Sequence, residues 1–171
     1  MPLANTAEEA KKLVPEVEAQ ETKLRFSKFD TEVAWKVGNT IREKFLNNPA
    51  WKDKGIVIHI STFTGHNIFT AAVGKQNATN PGNWVWIEGK KNVVKRFNHS
   101  SFFVGRNLVS AGKVPEDVLP FPEFAAHGGA FPVWIKDAPI APIGTIIVSG
   151  LQQDEDHQII VDSLEEILPN L

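Results

Sequence analysis

The stretch Gly55-Ile56-Val57-Ile58-His59-Ile60-Ser61 is the strongest constraint on how this chain folds. A β-branched run of that length, bounded by Lys54 and by the turn-forming Thr64-Gly65-His66-Asn67, predicts a strand. Asn67 leads into a second run, Ile68 to Val73, and the two together predict a hairpin. Ala130 to Lys136 and the nearly all β-branched Gly144 to Ser149 predict two more strands, with a long connection beginning at Asp137-Ala138-Pro139. Leu24 to Phe29 alternates apolar Leu24 and Phe26 with polar Arg25 and Ser27, which reads as a short strand or an extended lead-in.

Helical patterns fill the remainder. Residues 5–20 carry Thr6 as an N-cap and Glu8 and Glu9 in the first turn, with Pro15 dividing or kinking the helix. Asp30 caps a clearer helix from Thr31 to Leu46, where Val33, Val37, Ile41 and Phe45 recur every four residues. Asn83 to Asn98 and Ser100 to Ala111 read as two helices broken only at His99. Gly112 to Glu123, with Pro115, Pro120 and Pro122, reads as a loop with at most one helical turn. A last helix starts at Asp154-Glu155-Asp156, where carboxylates suit the positive end of the dipole, and ends near Leu168. Hairpins separated by helices argue for an α+β fold with a largely antiparallel sheet.

Composition removes several function classes. With 171 residues the chain is long enough for one well-buried domain. A formal net charge of −2 gives no electrostatic reason to expect nucleic acid as the main partner. The absence of cysteine excludes disulfides, thiolate-bound zinc, iron–sulfur clusters and thiol nucleophiles. No apolar run approaches the roughly 18 residues of a membrane span, and the acidic, polar start has no signal-peptide core, so a cytoplasmic location is expected. HExxH, His-x-His, GxGxxG and GxSxG are all missing, so no metal ligand set, phosphate loop or nucleophile elbow is predicted.

Candidate site residues gather in three places. The basic helix around Lys90, Lys91, Lys95 and Arg96 runs into His99-Ser100-Ser101. His99 is either a site group or a cation at a helix C-terminus, and Ser100 is an N-cap for the next helix. His127-Gly128-Gly129 precedes a strand; its glycines either bring amides close to a ligand or serve a tight turn with positive φ. Asp156-His157 is either a solvated pair on an exposed first turn or a carboxylate orienting an imidazole.

Three blocks taken in order carry a family resemblance. They are Gly89-Lys90-Lys91-Asn92-Val93-Val94-Lys95-Arg96-Phe97 with His99-Ser100-Ser101-Phe102, then Ala126-His127-Gly128-Gly129-Ala130-Phe131-Pro132, then Ile143 to Leu151 followed by Asp154-Glu155-Asp156-His157. The chain from about Phe26 to Leu168 resembles the UPF0303 (DUF967) group of the GlcG/HbpS-like, haem-degrading-domain superfamily. The resemblance implies a profilin-like fold, a five-stranded antiparallel sheet flanked by helices, and assembly into a symmetric homo-oligomer. Haem is the cofactor it suggests. Lys91 and His99-Ser100-Ser101 depart from the wider superfamily, and the UPF0303 group shares both departures.

The expected organisation is an N-terminal helical extension, 1–22, before a domain spanning 23–171. The first functional reading is an oligomeric ligand-binding or interaction module with a pocket at the subunit interface. That pocket would draw on Arg96, His99, Ser101, His127 and His157, the amides of Gly128 and Gly129, and the charge of Lys91. The second is an enzyme acting on haem or a related small molecule, with His99 or His127 as axial ligand or general base. The third is a scaffold that recruits protein partners.

Overall fold

The computed structural model describes residues 6–171, so the first predicted helical residue, Asn5, lies outside the described residues. The elements in order are α1 (Ala7–Lys23), α2 (Thr31–Asn47), β1 (Gly55–Thr62), β2 (Asn67–Gly74), α3 (Gly82–Phe97), α4 (Ser101–Ser110), the single turn α5 (Pro115–Val118), β3 (Ala130–Pro132), β4 (Gly144–Ser149) and α6 (Gln153–Ile167). The sheet is antiparallel throughout, in the order β2-β1-β4-β3.

The β-branched run becomes β1 because both of its faces are covered. Ile56, Ile58 and Ile60 face α2 and α6, packing with Val37, Ile41, Ile160 and Leu164 in the main core. Val57 turns to the other face and meets Ile87 and Val94 of α3, with Ala130 and Ile147 beside them. Alternate residues of a strand point to opposite faces, so a strand between two helical layers must be apolar at both parities. Only the helix-covered middle of the sheet is buried this way; β2, at one edge, buries Phe69 and otherwise alternates half-buried and exposed positions from there on.

Three expectations change. The sheet has four strands, not five. Leu24–Phe29 supplies a single parallel bridge, Phe26 to Ile135, through Phe26 N–H to Trp134 O (2.8 Å) and Lys136 N–H to Phe26 O (2.9 Å). Asp30, whose carboxylate accepts from Val33 N–H at 2.9 Å, then starts α2 before pairing can extend. The strand expected over Ala130 to Lys136 is regular only to Pro132; Val133 still exchanges backbone hydrogen bonds with Gly144 and Ile143. Finally, α1 runs unbroken through Pro15, opened by a capping box between Thr6 and Glu9 and closed on Lys23. It lies against α4 and buries Ala10, Val17 and Glu21.

Candidate functional site

One open cleft collects titratable and aromatic groups. Asn83, Trp86 and Lys90 lie three and four residues apart on α3 and so share one face of the helix. Opposite them, β4 ends in Ser149-Gly150, and Gln152, Gln153 and Asp156 begin α6. Gly150 turns the chain at φ 142°, and a Cβ there would strike the Gly55 carbonyl. His127, from the loop before β3, completes the wall. The cleft holds about 310 Å³, the lower end for small-molecule sites.

Its base is a buried ion pair. Lys90 Nζ donates to Asp156 Oδ2 at 3.1 Å and to the Val148 carbonyl at 3.0 Å, and both side chains are only 3% exposed. Asp156 Oδ1 also accepts from Leu151 N–H at 3.0 Å. Burial nevertheless pushes the Asp156 carboxyl above the usual carboxylate range, against the pull of Lys90 and the Leu151 amide. Glu155 accepts from Gln152 N–H at 3.1 Å, the reciprocal half of a capping box at the start of α6.

His127 stands at the mouth. Its Nε2 pairs with Glu116 Oε1 at 2.8 Å and its ring meets Trp86 edge-to-face at 5.3 Å. Trp86 packs in turn on Phe121, with centroids 4.6 Å apart. Burial lowers the His127 pKa, and the nearby Lys90 and Arg106 charges add to that, outweighing Glu116. A neutral imidazole beside a carboxylate can accept or pass a proton. Gly128 N–H donates to Gln153 Oε1 at 3.1 Å and Ala130 N–H to Ser101 Oγ at 3.0 Å, which fixes the loop that carries His127.

The two glycines are filled from within. Gly129 has φ 125°, and a Cβ there would lie 2.6 Å from Lys90 Nζ; one on Gly128 would run into the Gln153 carbonyl. Gly129 thus provides both the turn and the room for the buried ammonium.

The other predicted groups lie elsewhere. His99 Nδ1 donates to Glu21 Oε2 at 2.6 Å, and its ring stacks on Phe103 at 4.2 Å. Glu21 Oε1 also accepts from Ser100 N–H at 2.7 Å, so this carboxylate of α1 ties down the α3–α4 junction. The bond to Glu21 raises the His99 pKa, against the effect of burial. Ser100 caps α4, its Oγ accepting from Phe103 N–H at 3.0 Å. His157 is enclosed between Phe102 and Phe131; its Nε2 donates to Gln20 Oε1 at 2.7 Å, and burial lowers its pKa to about 3. The expected solvated Asp156-His157 pair is therefore buried at both residues: Phe102, Phe131 and Gln20 enclose His157, and Lys90 of α3 covers Asp156. Lys91 donates to Glu88 at 2.9 Å, and Arg96 lies over the rings of Phe97 and Phe124.

The structure thus brings His127, Gly128, Gly129 and Ser101 to one locality and leaves Lys91, Arg96, His99 and His157 outside it. Sequence reasoning missed Trp86, Glu116, Gln153 and Glu21, and took Asp156 for a surface carboxylate. The i, i+4 spacing of Trp86 and Lys90 was a usable signal. No local pattern links Glu116 to His127 across a proline-rich loop.

A wider groove, about 560 Å³ between α2 and α6, is lined by Lys44, Glu43, Asp162, Glu166 and Trp51 among others. Lys44 there is paired with Glu166 at 2.6 Å, and neither a histidine nor a buried ion pair lines the groove. Among the described residues, no three His, Asp or Glu side chains gather as a metal site.

Comparison with known proteins gives a consistent result. A family model described as "Haem degrading protein HbpS-like" matches residues 29–165. A UPF0303 protein of Streptomyces avermitilis is 36% identical over 157 residues, covering 91% of this chain and 90% of that protein. The crystal structure of Ybr137w superposes with a TM-score of 0.81 at 31% identity, covering 92% of this chain and 90% of that one. A structure described as a PduOC–haem complex shares the fold, with a TM-score of 0.59 at 15% identity, covering 81% of this chain and 94% of that one.

Proposed function

Since this chain belongs to the HbpS-like family, among the UPF0303 proteins, we propose that it is a small-molecule-binding module whose ligand sits in the His127 cleft. The observation that carries this reading is the meeting of Trp86, His127 and the buried Lys90–Asp156 pair around one open space. Trp86 offers a flat apolar wall, Lys90 a charged donor at the base, and His127 an imidazole steadied by Glu116. A flat molecule with a hydrogen-bond acceptor matches that combination. The reading includes an oligomer: Trp86, Val118 and Phe121 are exposed beside the mouth, and a second copy seated on them would close it.

Haem fits one chain poorly. A tetrapyrrole is larger than the cleft, and the Nε2 of His127 is taken by Glu116. His59 and His157 are buried. His99 has the carboxylate-backed ring of an iron ligand, but it does not line the cleft.

The test is calorimetric titration of the full chain with benzoate and with haemin, beside His127→Ala. Saturable benzoate binding that His127→Ala weakens at least tenfold is the expected result. Saturable haemin binding lost in His99→Ala and retained in His127→Ala would replace this reading with the haem one. No saturable binding of either probe would overturn the choice of ligand class.

A further inference from the structure

Two carboxamides line the cleft from opposite walls, Asn83 at the start of α3 and Gln153 at the start of α6. Each is held by a backbone amide. Asn80 N–H donates to Asn83 Oδ1 at 2.9 Å, and Gly128 N–H donates to Gln153 Oε1 at 3.1 Å. A backbone N–H can only donate, so the atom it meets is the carboxamide oxygen, and the orientation of both amides is fixed. Each side chain keeps its two N–H donors, and neither nitrogen has a partner among the described residues. The turn that carries Asn83 is itself braced, since Gly82 N–H donates to Asn80 Oδ1 at 2.8 Å.

Lys90 adds a third donor. An ammonium has three N–H bonds, and two of them go to Asp156 Oδ2 and the Val148 carbonyl. The carboxylate beside it is taken at both oxygens, Oδ2 by Lys90 and Oδ1 by Leu151 N–H. Asn83, Trp86 and Lys90 stand in a row on α3. Seven residues at about 1.5 Å each set the outer two about 10 Å apart along the helix, with the indole between them. That is the span of one aromatic ring with a polar group at each end and the hydrogen bonds that meet them. Gln153 precedes Asp156 by one turn of α6, which places it at the Lys90 end of the row.

Resting on the reading that the cleft binds a flat molecule, we infer that its ligand is an aromatic carboxylate with a second, uncharged carbonyl group across the ring. Lys90 and Gln153 receive the carboxylate, Trp86 lies along the ring, and Asn83 donates to the far carbonyl. The far group is uncharged because Lys90 is the only lysine or arginine in the lining. It is an acceptor because a donor there would face the Asn83 N–H groups and leave both sides unpaired. A site built in this way turns away an analogue of the same size and opposite hydrogen-bond polarity.

The test is calorimetric titration of the full chain with benzoate, para-acetylbenzoate and para-aminobenzoate, acids of one charge that differ only in the far group. Para-acetylbenzoate should bind about three- to tenfold tighter than benzoate, the effect of one added hydrogen bond, and para-aminobenzoate no tighter than benzoate. Asn83→Asp and Gln153→Glu keep the oxygen that each backbone N–H requires and exchange only the N–H donors for a second oxygen. Asn83→Asp should cancel the advantage of para-acetylbenzoate and pass it to para-aminobenzoate, and Gln153→Glu should weaken all the acids together. Benzoate that binds saturably while the acids rank equally, or while para-aminobenzoate ranks first, overturns this inference and leaves the cleft reading standing. No saturable binding by any of the acids overturns both. Should a variant fail to fold, the wild-type ranking decides alone.

Discussion

Two histidine regions of this molecule are built from the same parts and end in opposite states. Beside α1, His99 and His157 are held by Glu21 and Gln20, adjacent residues of one helix; His99 stacks on Phe103, and His157 lies tilted against Phe102. At the cleft, His127 is also held by a glutamate and also packed on an aromatic ring, but it borders open space beside a buried ion pair. The difference lies in what each ring faces: His157 is enclosed and His99, still 39% exposed at its side chain, ties a helix junction to Glu21, whereas His127, 24% exposed, borders the cleft.

The largest expected effect breaks the base of the cleft. Lys90→Met leaves Asp156 buried without its cation and should cost about 3–5 kcal/mol, measured by urea unfolding. Joint replacement of Lys90 and Asp156 by apolar residues should recover much of that loss. Recovery would show that the pair is held for the cleft, not for stability.

Acid should loosen the α1 region next. The folded His157 pKa of about 3 lies below the unfolded value of 6.5, so its contribution is full above pH 6.5. It is lost as pH falls toward the folded value, by about 1.4 kcal/mol per pH unit. His59, lowered to about 4, acts in the same direction. His99 acts in the opposite one: its raised pKa stabilises below the unfolded value, and that contribution is lost as pH rises through the folded value. Chemical unfolding from pH 7 to pH 4.5 should therefore show a net decline, reduced by His157→Phe.

A third substitution sharpens the comparison from the helix side. Glu21→Ala removes the acceptor for both His99 and Ser100 N–H and should cost about 1–3 kcal/mol. Limited proteolysis should then cut within α1 before it cuts elsewhere. The smallest effect belongs to the cleft: His127→Ala, a half-buried loop substitution, should change stability by less than about 1 kcal/mol.

Local rules made most of the fold legible. The caps at Thr6, Asp30 and Ser100, the four-residue recurrence in α2 and the β-branched runs all have short-range causes. The fifth strand failed because alternation over Leu24–Phe29 says nothing about whether a partner strand lies alongside. At the site, His127 and its glycines could be picked out because glycine beside histidine is a local feature. Asp156 could not, since its burial depends on Lys90 of α3, 66 residues away, and on the turn at Gly129. Glu21 escaped notice for the same reason: a carboxylate in an amphipathic helix looks solvated until the partner surface is known.

The account turns on which region meets a ligand. Benzoate titrated into ¹⁵N-labelled full chain, followed by amide and indole shifts, tests this directly. The account predicts saturable shifts at Gly128, Leu151, Gln153 and the Trp86 indole, with Gln20, Glu21 and Ser100 unmoved. Shifts that cluster at Glu21, His99 and Ser100 while the cleft amides stay still would contradict it.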